Sequence, residues 1–125
     1  KKLVKRLLKV RLFLGPRVPA YSNGKGREYD FIAFGKKRDD NIVLVVSVKT
    51  KPRPDDIELL IQSIKEIGIF FSEYATAKKL GMLIYIRYDE DALKRAHDFG
   101  LYTANISDKV CSLTVPPNFT PREFE

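Results

Sequence analysis

The hydrophobic residues in the first half of this chain alternate with polar ones, after a short opening with helical spacing. Residues 3–8 have the helical spacing and residues 8–14 the alternation, which predicts a short helix end leading into a strand. Residues 29–34 predict a second strand, and the β-branched run 42–49 a third that is too apolar for an exposed face. Because the turns between them, including the glycine-rich turn at 22–26, are short, we expect an antiparallel meander.

A long amphipathic helix is predicted in the middle of the chain. Beyond Pro54 the period changes to about 3.6 residues, and apolar side chains form one stripe from residue 57 to residue 75. The acidic pair 55–56 suits the positive end of a helix dipole, and the basic pair 78–79 the negative end. We therefore predict that the helix ends at Gly81.

The last elements predict crossover connections. Residues 82–88 predict a strand, residues 89–99 a capped helix that Gly100 stops, and residues 101–106 a final strand. The order β-β-β-α-β-α-β indicates an α/β fold. We expect a mixed sheet with helices packed on it, its later strands joined by right-handed βαβ connections.

Length and composition agree with one globular domain. The chain has 125 residues, of which 44% are hydrophobic and 31% charged, enough for one packed core. We assign residues 1–106 to a single domain and residues 107–125 to a loose C-terminal extension. Because the chain begins with Lys1, we allow for residues upstream.

No apolar run approaches the roughly 20 residues of a membrane span, and the lone Cys111 excludes an internal disulfide. A cytoplasmic protein is expected.

Positive charge is concentrated in the first half of the chain. The net charge is +7, and residues 1–53 hold 15 Lys and Arg against 4 Asp and Glu, whereas residues 54–125 hold 8 against 12. A basic surface attracts polyanions, most commonly nucleic-acid phosphates. We therefore expect duplex or branched DNA as a partner, with an ordinary solvated basic surface as the alternative.

Polar side chains interrupt two of the predicted strands near their ends. Side chains two positions apart share a strand face, so Glu28 and Asp30 point one way, and Ser47 and Lys49 share a face of the next strand. If the strands pair, Asp30 lies near Ser47 and Lys49 at the rim of the sheet. A carboxylate that holds Mg²⁺, beside a lysine that stabilises phosphate charge, suits phosphodiester hydrolysis.

At these residues the chain resembles the PD-(D/E)XK nuclease superfamily, which has the restriction-endonuclease-like fold, and in particular its uncharacterised archaeal members. The resemblance rests on Glu28-Tyr29-Asp30, on Val46-Ser47-Val48-Lys49-Thr50, and on the helix, strand and helix-strand unit that follow, over roughly residues 26–106. It implies a DNA endonuclease that uses Mg²⁺ or Mn²⁺, with Asp30 as a metal ligand and Lys49 as the catalytic cation.

One position departs from the pattern of the superfamily. The position two before the lysine, where the motif has an acid, is Ser47, so the predicted site lacks a carboxylate. The auxiliary ligands left are Glu28, the Val48 carbonyl, or an acid from the long helix, where Glu58 and Gln62 lie one turn apart. We therefore expect weak metal binding, with cleavage slow or absent.

A set of cations is expected to contact DNA, and two other functions stay open. The cations are Lys25, Arg27, Lys36, Lys37, Arg38, Lys51 and Arg53. One alternative to an endonuclease is a catalytically inactive relative that still binds nucleic acid. The other is a protein-interaction module, including a homodimer, that uses the apolar surface near residues 69–71.

Overall fold

The computed structural model describes residues 2–124, which contain three α-helices and eight β-strands. The helices are α1 (Lys2–Leu7), α2 (Pro54–Phe70) and α3 (Glu90–Asp98). The strands are β1 (Lys9–Leu14), β2 (Val18–Ser22), β3 (Lys25–Tyr29), β4 (Phe31–Lys37), β5 (Asp40–Lys49), β6 (Lys78–Tyr85), β7 (Tyr102–Ser107) and β8 (Val110–Leu113). Among the described helices, none combines the length and apolarity needed to cross a membrane.

Six strands form one mixed sheet in the order β1-β4-β5-β6-β7-β8. β4 pairs antiparallel with β1 and β5, the strands β5, β6 and β7 run parallel, and β8 is antiparallel to β7. Parallel neighbours need crossover connections, which here contain α2 and α3. β2 and β3 form a separate two-stranded ribbon. The predicted α/β class with a mixed sheet is therefore confirmed.

The central strand β5 is buried on both faces, and its alternating side chains divide the interior into two cores. Val43 and Val45 belong to the core beneath α2 and α3. Leu44 points the other way into a second core, which α1 covers with Leu3 and Val4. Burial on both faces explains why this strand is continuously apolar in the sequence.

The strand predicted over residues 29–34 is in fact two strands, β3 and β4, with a break at Asp30. Tyr29 and Ile32 both pack in the core beneath α2 although they are three positions apart, which one pleated strand does not allow. At the break, the Arg17 N–H donates to the Asp30 carbonyl at 3.1 Å. The predicted antiparallel meander is confirmed as β1-β4-β5, and the predicted second strand is wrong only in its start, because residues 29 and 30 lie outside β4.

The long helix is shorter than predicted. α2 ends at Phe70, a 3-10 turn follows at Ser72–Tyr74, and both the basic pair 78–79 and Gly81 lie in β6. Gly81 has a packing role, because a Cβ at this position would lie 2.3 Å from the Ile64 Cδ1 atom of α2. The glycine that predicted a helix end instead allows a strand to approach a helix closely.

The C-terminal residues are part of the fold, which corrects the loose extension predicted for residues 107–125. β8 extends the sheet beside β7. Phe119 packs against the Tyr102 ring with centroids 5.3 Å apart, and Phe124 is 2% exposed in the core beneath α2. The apolar side chains that follow the prolines therefore bring the chain back onto the domain.

Lys79 joins three parts of the structure. Its side chain is buried, and its Nζ donates to the carbonyls of Ala75 at 2.9 Å and Ala77 at 3.1 Å. Its own carbonyl accepts from the Phe124 N–H at 2.7 Å. The Lys79 ammonium thus donates hydrogen bonds to carbonyls of the segment that follows α2. A lysine in the last turn of a helix often does the same, but Lys79 does so from strand β6.

We predict that Phe124→Ala lowers the free energy of unfolding by about 3–5 kcal/mol, because it removes a fully buried ring from the core. Urea unfolding followed by circular dichroism measures the loss. Phe99→Ala is the matched control, since Phe99 is 38% exposed, and it should lose much less. Equal losses in the two variants would contradict the burial of the C-terminal residues.

Candidate functional site

A polar cleft opens at the rim of the sheet, where β4 begins, β5 ends and α2 passes over them. Its volume is about 170 Å³. Ser47 and Lys49 of β5, Asp30 before β4, and Asp56 and Ser63 of α2 all line it. Asp30 and Lys49 therefore line one cleft, as the alternation of the strands predicts.

Asp30 links the start of β4 to the end of β5. Its Oδ2 accepts a hydrogen bond from the Val48 N–H at 2.8 Å in a partly buried position. A charged acceptor for a backbone donor stabilises the fold by more than an ordinary hydrogen bond does. Asp30 therefore has a structural role in addition to its place in the cleft.

Lys49 and Asp56 come together across the cleft. Lys49 continues the face of β5 that places Val43 and Val45 beneath α2, and its Nζ lies 3.9 Å from Asp56 Oδ1. The Asp56 Oδ2 accepts from the Arg53 N–H at 2.8 Å, which holds the first turn of α2. Because Lys49 is 44% exposed, the ion pair is screened by solvent and contributes little to stability.

The carboxylate that α2 contributes is Asp56 and not the predicted Glu58. Glu58 forms an ion pair with Arg95 of α3, on the side where the two helices meet. Gln62, the other predicted helix residue, donates from Nε2 to Glu66 Oε2 at 2.6 Å. Neither Glu58 nor Gln62 is among the residues that line the cleft.

Helix spacing could have identified Asp56 from the sequence. Residues four and seven positions apart lie on one side of a helix, and Asp56, Leu60 and Ser63 line the cleft together. Asp56 thus suits the helix dipole and also lies on the side of α2 that faces the cleft.

The two other predicted auxiliary ligands have different surroundings. Glu28 lines the cleft, but its side chain is 61% exposed and its Oε1 lies 3.9 Å from Arg17 Nε. Val48 contacts Asp30 through its N–H. Glu28 therefore lies at the outer edge of the cleft, and the contact that links Val48 to the site comes from its backbone donor.

Arg27 joins the ribbon to α2. Its Nη2 and Nε lie 2.6 and 3.0 Å from Glu66 Oε1, and its Nη1 donates to Ser63 Oγ at 2.8 Å. Hydrogen bonds from Gln62 and Arg27 hold the pKa of Glu66 below its ordinary value. The guanidinium is thus bound within the fold, and its contact with DNA stays a prediction.

Two other predicted cations, Lys51 and Arg53, lie beside the cleft, exposed on the loop between β5 and α2. Lys25 is exposed at the start of β3, at the other end of that strand from Tyr29, which lines the cleft. The Thr50 carbonyl accepts from the Arg87 N–H at 2.7 Å. The exposed Arg87, which the sequence analysis missed, therefore lies next to the same loop.

Lys36, Lys37 and Arg38 lie elsewhere. They form the end of β4 and the turn into β5, whereas Asp30 precedes β4. The strand separates this turn from Asp30 by about 20 Å, at about 3.3 Å per residue. The structure therefore does not bring the turn together with Asp30 and Lys49.

The donors in the cleft were compared with the requirements of a divalent cation. Within residues 2–124, no three His, Cys, Asp or Glu side chains converge. Three carboxylates line the cleft, of which Glu28 lies at its exposed outer edge and Asp30 and Asp56 lie further in, together with the hydroxyls of Ser47 and Ser63. Mg²⁺ keeps several waters and is often held by one or two carboxylates with substrate phosphate, so Asp30 and Asp56 are the residues that would hold it.

No protein-family model, curated protein or solved structure matches this chain. The functional argument therefore depends on the geometry and chemistry of the cleft.

Tyr29, at the back of the cleft, provides a test of this packing. Its hydroxyl donates to the Ser63 carbonyl at 3.0 Å, and burial raises its pKa to about 12. An unfolded tyrosine has a pKa of about 10, so between these values the unfolded chain has lost a proton that the folded chain retains. The stability that this difference contributes is complete below about pH 10 and is lost as the pH rises toward about 12.

We predict that the free energy of unfolding falls less steeply across this pH range in Tyr29→Phe than in the unmodified protein, because phenylalanine does not ionise. Urea unfolding at a series of pH values measures the slope. Tyr21→Phe removes a tyrosine that is 78% exposed and should retain the unmodified slope. The assignment is wrong if all three proteins have the same slope.

Proposed function

We propose that the protein is a DNA-binding domain of the restriction-endonuclease-like type, with a weakened metal-dependent phosphodiesterase site in the cleft. The observation that carries the proposal is the presence of Asp30, Ser47 and Lys49 along one cleft at the rim of a mixed sheet. The order of pairing around it, antiparallel β4 and β5 followed by parallel β5 and β6, supports the same fold.

Each polar residue of the cleft has a chemical role in this proposal. Asp30 and Asp56 hold the cation, and Lys49 stabilises the negative charge that develops on the phosphate. When bound, Mg²⁺ supplies the polarisation of the phosphate and the lowered pKa of a water. The backbone N–H groups of Val48 and Arg53 fix one oxygen of each carboxylate, and the second oxygen of Asp56 faces Lys49 Nζ at 3.9 Å.

Two features weaken this site. Ser47 is neutral where a carboxylate would add a full negative charge for a doubly charged cation. Lys49 lies 3.9 Å from Asp56, so its positive charge opposes cation binding at that carboxylate. Metal binding is therefore expected to depend on the additional negative charge of the substrate phosphate.

DNA reaches the cleft across a basic rim. Lys51 and Arg53 flank the end of β5, and Lys25 extends from the ribbon. Arg87 adds a cation from the loop that contacts Thr50. These side chains are exposed, so they can neutralise phosphates on either side of a backbone segment in the cleft.

A second candidate function is DNA binding without cleavage, which the neutral Ser47 favours. The protein-interaction module has less support, because Phe71 of the proposed apolar surface packs its ring against Tyr29 and Phe34. Ile69, at 60% exposure, is the apolar side chain of that segment that remains outside. A homodimer through this segment stays a prediction.

We predict that the unmodified protein nicks supercoiled or branched DNA slowly or not at all with Mg²⁺ or Mn²⁺, and that Ser47→Glu increases nicking. The added carboxylate lies on the same strand face as Lys49. The nicking rate should rise about tenfold or more, because changing even a residue that only supports a metal ligand usually alters metal affinity or activity by 10-fold to 100-fold. A titration of nicking rate against each metal measures it.

Isosteric variants identify the site. Asp30→Asn retains an oxygen that can accept from the Val48 N–H, so it removes the charge without removing the structural bond; Asp56→Asn does the same for the Arg53 N–H. Both should abolish any cleavage, whereas Glu58→Gln, on the side of α2 that faces α3, should not. Strong cleavage that survives Asp30→Asn would place the active site elsewhere. If the unmodified protein does not cleave DNA and the Ser47→Glu variant does, the result supports an unmodified protein that binds DNA without cleaving it.

A further inference from the structure

A second, strongly basic cleft lies between the N-terminal elements and the turn from β4 to β5. Its volume is about 570 Å³. Its walls are the end of α1, the start of β1 and the end of β4 with its turn. Six exposed cations line it: Lys5, Arg6, Lys9, Lys36, Lys37 and Arg38.

No acidic residue is among those that line this cleft. In the part of the chain that the structure describes, none of the six cations forms an ion pair with a carboxylate. Asp40, which ends the same turn, instead accepts from Lys78 Nζ at 2.9 Å. The six cations therefore have no ion-pair partner among residues 2–124, and the acid nearest to them in the sequence is Asp39, which follows Arg38 in the turn.

The strand pairing brings two of these cations together. Lys9 of β1 lies directly opposite Lys36 of β4, and like charges in directly opposite cross-strand positions destabilise a sheet. The close approach is made possible by Gly35, because a Cβ there would lie 2.1 Å from the Lys9 carbonyl oxygen. An anion bound between the two lysine side chains would attract both of them and offset their mutual repulsion.

The turn presents a further cation in an unfavourable conformation. Arg38 has φ 59°, a left-handed backbone that glycine and asparagine adopt more readily. Two-residue turns between antiparallel strands commonly require a positive φ, so the turn from β4 to β5 explains this conformation. The turn places Arg38 among the residues that line the basic cleft.

The basic cleft and the Asp30–Lys49 cleft lie on different parts of the sheet. The turn at Arg38 and the break at Asp30 are at opposite ends of β4. At about 3.3 Å per residue, the seven residues of β4 separate these two ends by about 20 Å. One phosphate group cannot contact both clefts.

We propose that the basic cleft is a second binding site for the phosphate backbone of DNA, which holds a segment other than the one in the Asp30–Lys49 cleft. The proposal rests on the proposed function only in taking DNA as the polyanion. Six cations that line one cleft, with no carboxylate among the lining residues, give a site that binds by charge and does not read bases. Binding in this cleft therefore contributes to affinity and its salt dependence and leaves the chemistry of the other cleft unchanged.

The experiment measures the affinity for a labelled DNA duplex of about 20 base pairs against salt concentration by fluorescence anisotropy, since each phosphate neutralised adds about −0.9 to the slope of log affinity against log salt. The test variant is Lys9→Gln with Lys36→Gln, and the matched control is Lys65→Gln with Lys109→Gln, two exposed lysines outside both clefts. A third variant, Lys51→Gln with Arg53→Gln, reports on the Asp30–Lys49 cleft.

The test variant should have a slope shallower by about 1.8, for two lost phosphate contacts, and the control should retain the unmodified slope. The loss should add to that of Lys51→Gln with Arg53→Gln, because the two clefts contact different phosphates. The thermal unfolding temperature of Lys9→Gln with Lys36→Gln should not fall, because the repulsion between the two lysines is removed. If this test variant does not fold, Lys37→Gln with Arg38→Asn replaces it, since asparagine suits the left-handed turn.

The outcomes separate the two proposals. A slope unchanged by the basic-cleft variants, or changed equally by the lysine control, overturns the second site while leaving the proposed function in place. A slope changed by the basic-cleft variants but not by Lys51→Gln with Arg53→Gln supports the second site and counts against DNA binding at the Asp30–Lys49 cleft. A duplex that does not bind at low salt overturns both.

Discussion

The burial of β5 on both faces is the constraint on which the rest of the structure depends. Residues 42–46 are at most 2% exposed, so each face needs its own cover and each edge its own partner strand. α2 with α3 covers one face and α1 the other. The covered part of the strand ends at Val46, and the next residues on the α2 side, Ser47 and Lys49, emerge at the rim. The polar cleft is thus located where the hydrophobic cover stops.

Two carboxylates of that cleft are held in position by hydrogen bonds from backbone N–H groups. Asp30 accepts from Val48 at the end of β5, and Asp56 accepts from Arg53 at the start of α2. Such bonds fix side chains in position, which a catalytic or binding site requires. They also use one oxygen of each group and reduce what remains for a cation. The same geometry therefore supports a preorganised site and a weak one.

The charges of the domain are sorted by the fold into two separate basic regions. Lys51 and Arg53 lie beside carboxylates at one end of the sheet, whereas Lys36, Lys37 and Arg38 meet the cations of α1 and β1 at the other. The first region contains both positive and negative groups. The residues that line the second include six cations and no carboxylate.

The amino-acid sequence by itself determined the α/β class, the apolar central strand, the amphipathic character of α2 and the capped α3, whose Asp89 accepts from the Ala92 N–H at 3.0 Å. These follow from local periodicity and caps, because burial on one face repeats with the period of the element. The sequence also predicted that Asp30 and Lys49 would line one cleft, although the strand that was to carry Asp30 breaks at that residue.

Only the tertiary structure decided the break at Asp30, the end of α2, the return of Phe124 to the core, and the choice of Asp56 over Glu58. In each case a local signal had two possible meanings: Gly81 suits a helix end or a close strand, and an acid on α2 can face a cleft or another helix. Which meaning holds depends on what packs beside the residue. That neighbour comes from a distant part of the chain, so no local pattern contains it.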